Sequence, residues 1–144
     1  MKTSKNGIEL IKRFEGFSAE PYYCPAGKLT IGYGHVMSGK EREGLLTISK
    51  EIAENLLKKD IEIAEKTIAR LVKIEITQGQ FDALVSFIYN IGNQAFEKST
   101  LLRILNDGET ELAAGEFKRW VYSKGKRLRG LVKRREAEKL LFFS

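Results

Sequence analysis

Three residues near the N-terminus combine side chains and spacing that suit hydrolytic chemistry. Glu15 lies in the segment LIKRFEGF, Cys24 follows nine residues later, and Thr30 six beyond that within PYYCPAGKLTIGYGH. A carboxyl group can deliver a proton. A thiol can orient or deprotonate a water, or attack carbon directly, and a hydroxyl can hold a water between the other two. Glu15 is expected near the end of a helix, where the negative pole of the backbone dipole disfavours a second negative charge. Burial against Phe14, Phe17 or Tyr22 acts in the same direction, and both raise a carboxyl pKa as a general acid near neutrality requires. Each residue also has an ordinary reading: a surface glutamate, a small buried cysteine, a threonine chosen for strand propensity. His35 lies eleven residues after Cys24. It admits a cysteine–histidine nucleophile pair, but no oxyanion-hole signal or third partner accompanies it, and a structural hydrogen bond suits it better. The glycines of GYGH match neither phosphate-cradling motif.

The elements that must position these residues follow from periodicity. Asn6, with Glu9 three residues on, is expected to cap a first helix whose Ile8, Ile11 and Phe14 share a face and whose end falls at Gly16. The stretch from Pro21 to His35, with its alternation of Leu29, Ile31 and Tyr33, predicts an antiparallel hairpin turning near Ala26–Gly27. A long helix should start near Thr47 or Ser49 and run to about Leu71, since Leu57, Ile61, Ala64, Ile68 and Leu71 recur at three- and four-residue steps. Thr77 with Gln80 forms a capping box opening a helix that Gly92 ends. Further helices are expected near Thr100–Leu105, Glu109–Tyr122 and Leu131–Phe142, with NDG and SKGKRLRG as breaks. The fold class is therefore α+β and mostly helical. One domain of residues 1–144 is expected, with a hairpin lobe over about 15–60 and a helical lobe over about 72–144 plus the first helix. The long helix joins the two.

Composition narrows the function classes. A chain of 144 residues can bury a core without disulfide or metal. The single cysteine and single histidine form no metal cluster. No segment has the length and apolarity of a signal peptide or a membrane span. The net charge of +6 is uneven: Lys118 to Ser144 holds ten Lys/Arg and two Asp/Glu, a local +8, leaving −2 elsewhere. A basic end fits either a solvated helix face or a polyanionic partner. One rival reading is therefore a nucleic-acid-binding helical domain, although no recognised motif supports it and the aromatics do not interleave with the basic run.

Four segments, RFEG, TIGYGH, FDALVSFIYNIGNQAFEKSTLLRILN and GLVKRREAEKLLF, taken in order, resemble the phage-type lysozymes of glycoside hydrolase family 24. The resemblance covers most of the chain. It implies a lysozyme-like fold and a muramidase that cleaves the β-1,4 bond between N-acetylmuramic acid and N-acetylglucosamine. The family's triad is Glu, eight residues, Asp or Cys, five residues, Thr, which Glu15, Cys24 and Thr30 fit without a gap. By that likeness Glu15 is the general acid, and Cys24 and Thr30 position the attacking water. The reaction inverts configuration, which needs a gap of about 6.5–9.5 Å between paired carboxylates. Cys24 stands where Asp is commoner, and an unperturbed thiol near 8.5 is only slightly ionised at neutral pH. Matching positions suggest Val36, Tyr89 and Ser99 as sugar-contacting residues. Trp120 is expected in the core. The resemblance implies no metal or cofactor, a peptidoglycan glycan strand as partner, neither nucleic acid nor stable membrane insertion, and a monomer. It also implies accumulation in the host cytoplasm until a separate holin admits the protein to the cell wall and periplasm. A wall-binding but inactive homologue is the second rival.

Overall fold

The computed structural model describes residues 1–44 and 47–144. Helix α1 (Lys5–Glu15) leads into an antiparallel sheet of β1 (Ser18–Tyr23), β2 (Leu29–Gly32) and β3 (His35–Val36), followed by α2 (Gly39–Gly44). The rest is helical: α3 (Lys50–Leu71), α4 (Gln78–Ile91), α5 (Asn93–Glu97), α6 (Thr100–Asn106) and α7 (Thr110–Ala114). A 3-10 turn at Phe117–Arg119 then leads to a ribbon of β4 (Tyr122–Ser123) and β5 (Lys126–Arg127), and α8 (Arg129–Phe142) closes the chain. The fold is α+β with helices dominant.

Helix α3 starts where the sequence predicts, because the Ser49 hydroxyl accepts the Ile52 N–H at 3.2 Å. Its 22 residues span about 33 Å. They serve two hydrophobic clusters. Ala53 joins Ile31, Met37 and Ile48 under the sheet, whereas Leu57, Ile61, Ala64 and Ile68 join the larger helical core. Helix α4 is the axis of that core and is buried continuously from Phe81 to Ile88, as a helix packed on all sides must be. Its capping box forms as read: the Thr77 hydroxyl accepts from Gln80 N–H, and the Gln80 side chain accepts from Thr77 N–H at 2.9 Å. Around Phe87, the rings of Phe96, Phe117 and Trp120 stand edge-on at 5.1–6.4 Å between centroids. Such pairs add about 0.5–1.5 kcal/mol each beyond area burial.

Several local expectations change. The first helix begins at Lys5 with Ser4 at its cap position, so Asn6 lies inside the first turn. Ser4 does not cap through its side chain. Its N–H donates to the buried Asp82 of α4 at 3.0 Å, and its hydroxyl donates to the same carboxylate. Helix α1 therefore belongs to the helical core, and Gly7 allows the approach: a β-carbon there would stand 3.0 Å from the Asp82 side chain. The single helix expected over Glu109–Tyr122 breaks at Gly115 into α7 and the 3-10 turn. SKGKRLRG, read as a break, builds the β4–β5 ribbon through a two-residue turn in which Lys124 (φ 51°) and Gly125 (φ 79°) are both left-handed. The hairpin gains a third strand, β3.

His35 on β3 ties the sheet to two helices. Its Nδ1 lies 2.7 Å from Asp60 of α3, and its Nε2 lies 3.0 Å from Glu41 of α2. Both ring nitrogens are therefore occupied by carboxylates, which leaves neither for a nucleophile pair with Cys24. The Asp60 hydrogen bond, against the opposing effect of burial and with help from Glu41, raises the His35 pKa to about 9. A folded-state value above the unfolded 6.5 stabilises the protein fully below pH 6.5 and progressively less up to about 9. Unfolding free energy should thus fall by up to about 3 kcal/mol across that window. His35→Asn should flatten the decline in a denaturant series. An equal decline in the variant would remove His35 as its source.

Candidate active site

Gly16 ends α1 with φ 70° and donates its N–H to the Lys12 carbonyl at 2.8 Å, which leaves Glu15 as the last helical residue. The side chain turns over the β2–β3 turn. A β-carbon on Gly34 would lie 2.6 Å from the Glu15 carboxyl carbon, and Gly34 is itself left-handed at φ 80°, so only glycine fits beneath this carboxylate. The Glu15 side chain is 18% exposed, and its Oε2 accepts from Arg134 Nη1 at 2.6 Å.

That contact begins a buried chain of alternating charges. Arg134 also donates to Glu138 Oε2 at 3.4 Å and to the Ser86 carbonyl at 3.2 Å. Glu138, fully buried, accepts from the Ser86 hydroxyl at 2.6 Å and from Arg135 Nη1 at 2.6 Å. Arg135 donates onward to the Trp120 carbonyl at 3.0 Å and to Asn90 Oδ1, with its guanidinium over the Phe87 ring at 5.0 Å. Two carboxylates and two guanidiniums balance, which makes their burial tolerable. Burial pushes Arg135 down to about 10. It also pushes the Glu138 carboxyl up, against Arg135, Arg134 and Ser86. The sequence expectation for Glu15 placed it against a helix end and apolar rings; Arg134 sets a positive charge against that end.

The sheet gathers the remaining residues on one face. Tyr22 and Thr30 are direct partners across β1–β2, and Thr30 and Val36 across β2–β3, so all three side chains point the same way. Cys24 lies just past the end of β1, where it opens the turn into β2. Ile31 and His35 take the opposite face, toward α3. The Cys24–Lys28 turn is closed by Cys24 N–H to the Lys28 carbonyl at 3.0 Å and Gly27 N–H to the Cys24 carbonyl at 2.8 Å. Burial pushes the half-buried Cys24 thiol up. The N–H groups of Lys28, Ala26 and Gly27 and the Thr30 hydroxyl outweigh this and pull its pKa below that of a free cysteine. Thr30 is 2% exposed, and its hydroxyl donates to the Lys28 carbonyl at 2.9 Å.

Tyr22 links the two halves. Burial raises its phenol pKa first, and the charges of Glu15 and Cys24 then add to the effect. Among the sugar-contact candidates, Val36 is 48% exposed beside Thr30. Tyr89 donates its hydroxyl to the Tyr33 carbonyl at 2.6 Å, joining α4 to the turn over which Glu15 lies. Burial, then Asp60 and Glu15, raise its pKa. Ser99 is 7% exposed and is the cap of α6: its hydroxyl accepts from Leu102 N–H at 3.1 Å and donates to the Phe96 carbonyl at 2.7 Å. The structure thus brings Glu15, Cys24, Thr30 and Val36 to one region, with Tyr89 behind the turn, and commits the Ser99 hydroxyl to the helix cap. Trp120 packs on the core, as expected.

Arg134 and Glu138 were not singled out from the sequence. Their signal is positional: Leu131, Arg134, Arg135, Glu138, Leu141 and Phe142 keep helical core spacing, with opposite charges four apart at apolar positions. Glu138→Gln leaves two buried guanidiniums with one carboxylate and should lower unfolding free energy by about 3 kcal/mol in denaturant titration. Gly34→Ala should cost about 1–2 kcal/mol from the left-handed backbone alone. A change within about 0.5 kcal/mol for both would show the carboxylate is not held as described.

Residues 12–138 match the sequence profile of the phage lysozyme family. The endolysin of Bacillus phage B103 is 47% identical over 146 residues, covering all of this chain and 55% of that protein. The endolysin of Acyrthosiphon pisum secondary endosymbiont phage 1 is 43% identical over 148 residues, covering all of this chain and 99% of that protein. This chain thus spans about half the length of the Bacillus phage relative. Among solved structures, the muramidase domain of SpmX from Asticaccaulis excentricus superposes with a TM-score of 0.88 at 39% identity, over 99% of this chain and 98% of that one. Sequence profile, full-chain identity and superposed fold agree: the chain belongs to the phage lysozyme family.

Proposed function

We propose that the chain is an endolysin-type muramidase that hydrolyses the β-1,4 bond between N-acetylmuramic acid and N-acetylglucosamine in peptidoglycan. What supports this reading is geometric: the Glu15 carboxyl lies against Gly34 in the β2–β3 turn, beside the strands on which Tyr22, Thr30 and Val36 are cross-strand partners. Arg134 holds Glu15 Oε2. The transferable proton then sits on Oε1, and a carbonyl oxygen accepts from a guanidinium whether or not its partner oxygen is protonated. Glu15 gives this proton to the glycosidic oxygen as the bond to the anomeric carbon breaks. On the other side, the Cys24 thiolate and the Thr30 oxygen each accept one hydrogen of a water. When Thr30 donates to Lys28 its lone pairs are free for this, and the water's own lone pair is directed at the anomeric carbon. Cys24 takes the water's proton as the new C–O bond forms; the Cys24 thiol then releases that proton to solvent, and solvent returns one to Glu15. Separate acid and water sites give inversion.

In this reading residues 1–144 act as one unit. The substrate cleft lies between a hairpin lobe (about 15–60) and a helical lobe (about 72–144 with α1), Val36 forms part of the wall, and Tyr89 fixes the turn carrying Tyr33. No metal or organic cofactor takes part. A monomer suffices, and a separate holin delivers it from the host cytoplasm to the cell wall. Two of the basic residues counted toward a polyanion-binding end, Arg134 and Arg135, lie buried in the ion chain, which weakens a nucleic-acid reading.

Purified protein should clear permeabilised Gram-negative cells, and Glu15→Gln should reduce the rate at least about a hundredfold while folding normally. Wall binding with no loss of turbidity would favour the inactive homologue instead. Because activity needs the ionised thiol, rate should rise with pH through the lowered Cys24 pKa. Cys24→Asp should stay active and move that acid limb down to the carboxylate range. An unmoved limb would mean that Cys24 orients the water without accepting its proton.

A further inference from the structure

A pocket of about 720 Å³ lies between α8 and the segment from Phe117 to Arg127. Val132, Arg135, Glu136 and Lys139 line it at helical spacings of three, four and seven, whereas Arg134 and Glu138 project from a different face of the same helix. Phe117 and Val121 complete an apolar floor, and Lys118, Arg127 and Lys139 are exposed around the mouth. Among the described residues these three make no ion pair. Arg119 at the rim pairs with Glu116 at 3.1 Å but keeps its side chain 69% exposed, and Glu136 is the single acid of the lining.

Resting on the peptidoglycan reading above, we infer that this pocket is a second binding site, for the phosphodiester chain of an anionic cell-envelope polymer. The volume exceeds what one phosphate fills. Cations spread around one mouth suit an anion that repeats along a chain, and the guanidinium of Arg127 offers a planar fork to phosphate oxygens. The apolar floor suits the carbon backbone of a polyol between phosphates. Single-stranded nucleic acid presents the same charge but gains its affinity from bases stacked on aromatic rings. Here Tyr122 is the one exposed aromatic of the lining, since Phe117 is 1% exposed. The ribbon whose base lines the pocket carries Lys124 at its tip. The Lys124 ammonium lies 3.3 Å from where a β-carbon of Gly27 would stand, in the Cys24 turn. The ribbon thus runs from the pocket at its base to the Cys24 turn at its tip.

The test is equilibrium binding of poly(glycerol phosphate) to the intact chain, with poly-γ-glutamate and a single-stranded oligonucleotide of equal charge as comparators. Poly(glycerol phosphate) should bind at least about tenfold more tightly than either. Arg127→Ala with Lys139→Ala should weaken it about tenfold and flatten its salt dependence. The control pair Lys58→Ala with Lys59→Ala removes the same charge from exposed positions on α3 and should change affinity less than twofold. Equal losses in the two double variants would reduce the effect to net charge and overturn the site. So would equal or tighter binding of the oligonucleotide or the carboxylate polymer. Polymer binding without peptidoglycan hydrolysis would support the pocket and fail the hydrolase reading; hydrolysis without pocket-dependent binding would do the reverse.

Discussion

The ion chain running from Glu15 through Arg134 and Glu138 to Arg135 is the constraint on which the rest of the site depends. A carboxylate at the last residue of a helix, beside Gly16, has little of its own to fix its direction. Arg134 supplies that from a helix 119 residues away in sequence. Arg134 can do so only because Glu138 and the Ser86 carbonyl hold its other nitrogens, and Glu138 is tolerable in the core only between two guanidiniums. The last member, Arg135, closes on Asn90 and Trp120, so α1, α4 and α8 are joined through charges that sum to zero. Losing Glu138 leaves an unpaired charge in the core rather than a weakened contact.

The other half of the site is built on different physics. Thr30 is placed by strand register and Cys24 by the turn that follows β1, and the thiol is tuned by backbone N–H groups of that turn rather than by a neighbouring cation. The commoner Asp at this position brings its charge with it, whereas cysteine depends on the turn to favour the ionised form. The halves meet at Tyr22 and at the β2–β3 turn. There Gly34 makes room for Glu15 and Tyr33 receives the Tyr89 hydroxyl. Helix α3 holds them at a fixed spacing by lending Ala53 to the core under the sheet and Leu57 onward to the helical core.

Much of this frame is legible in the sequence because local rules governed it. The capping serine and apolar spacing of α3, the Thr77–Gln80 box, and Gly16 and Gly92 as helix ends all follow from residues close together in the chain. So does the spacing of Glu15, Cys24 and Thr30. What was missed depends on distant partners. Ser4 gave up a cap for Asp82, 78 residues on. Arg134 and Arg135 read as two more surface cations until α8 packed them against α4. SKGKRLRG looked like a break because its strands are two residues each and its turn places a lysine in a conformation that usually calls for glycine or asparagine. Ser99, suggested as a sugar contact by motif position, also caps α6.

The central claim is that a proton donor on α1 and a water held by the sheet act from opposite sides of the scissile bond. The most direct test is the anomeric configuration of the first-formed reducing end, followed by NMR before mutarotation, during hydrolysis of a defined β-1,4 peptidoglycan oligomer. The account predicts the α-anomer, the product of a single inversion. A β-anomer as the first product would mean a covalent intermediate at Cys24 or elsewhere, and would contradict the assignment of a water to the Cys24–Thr30 pair.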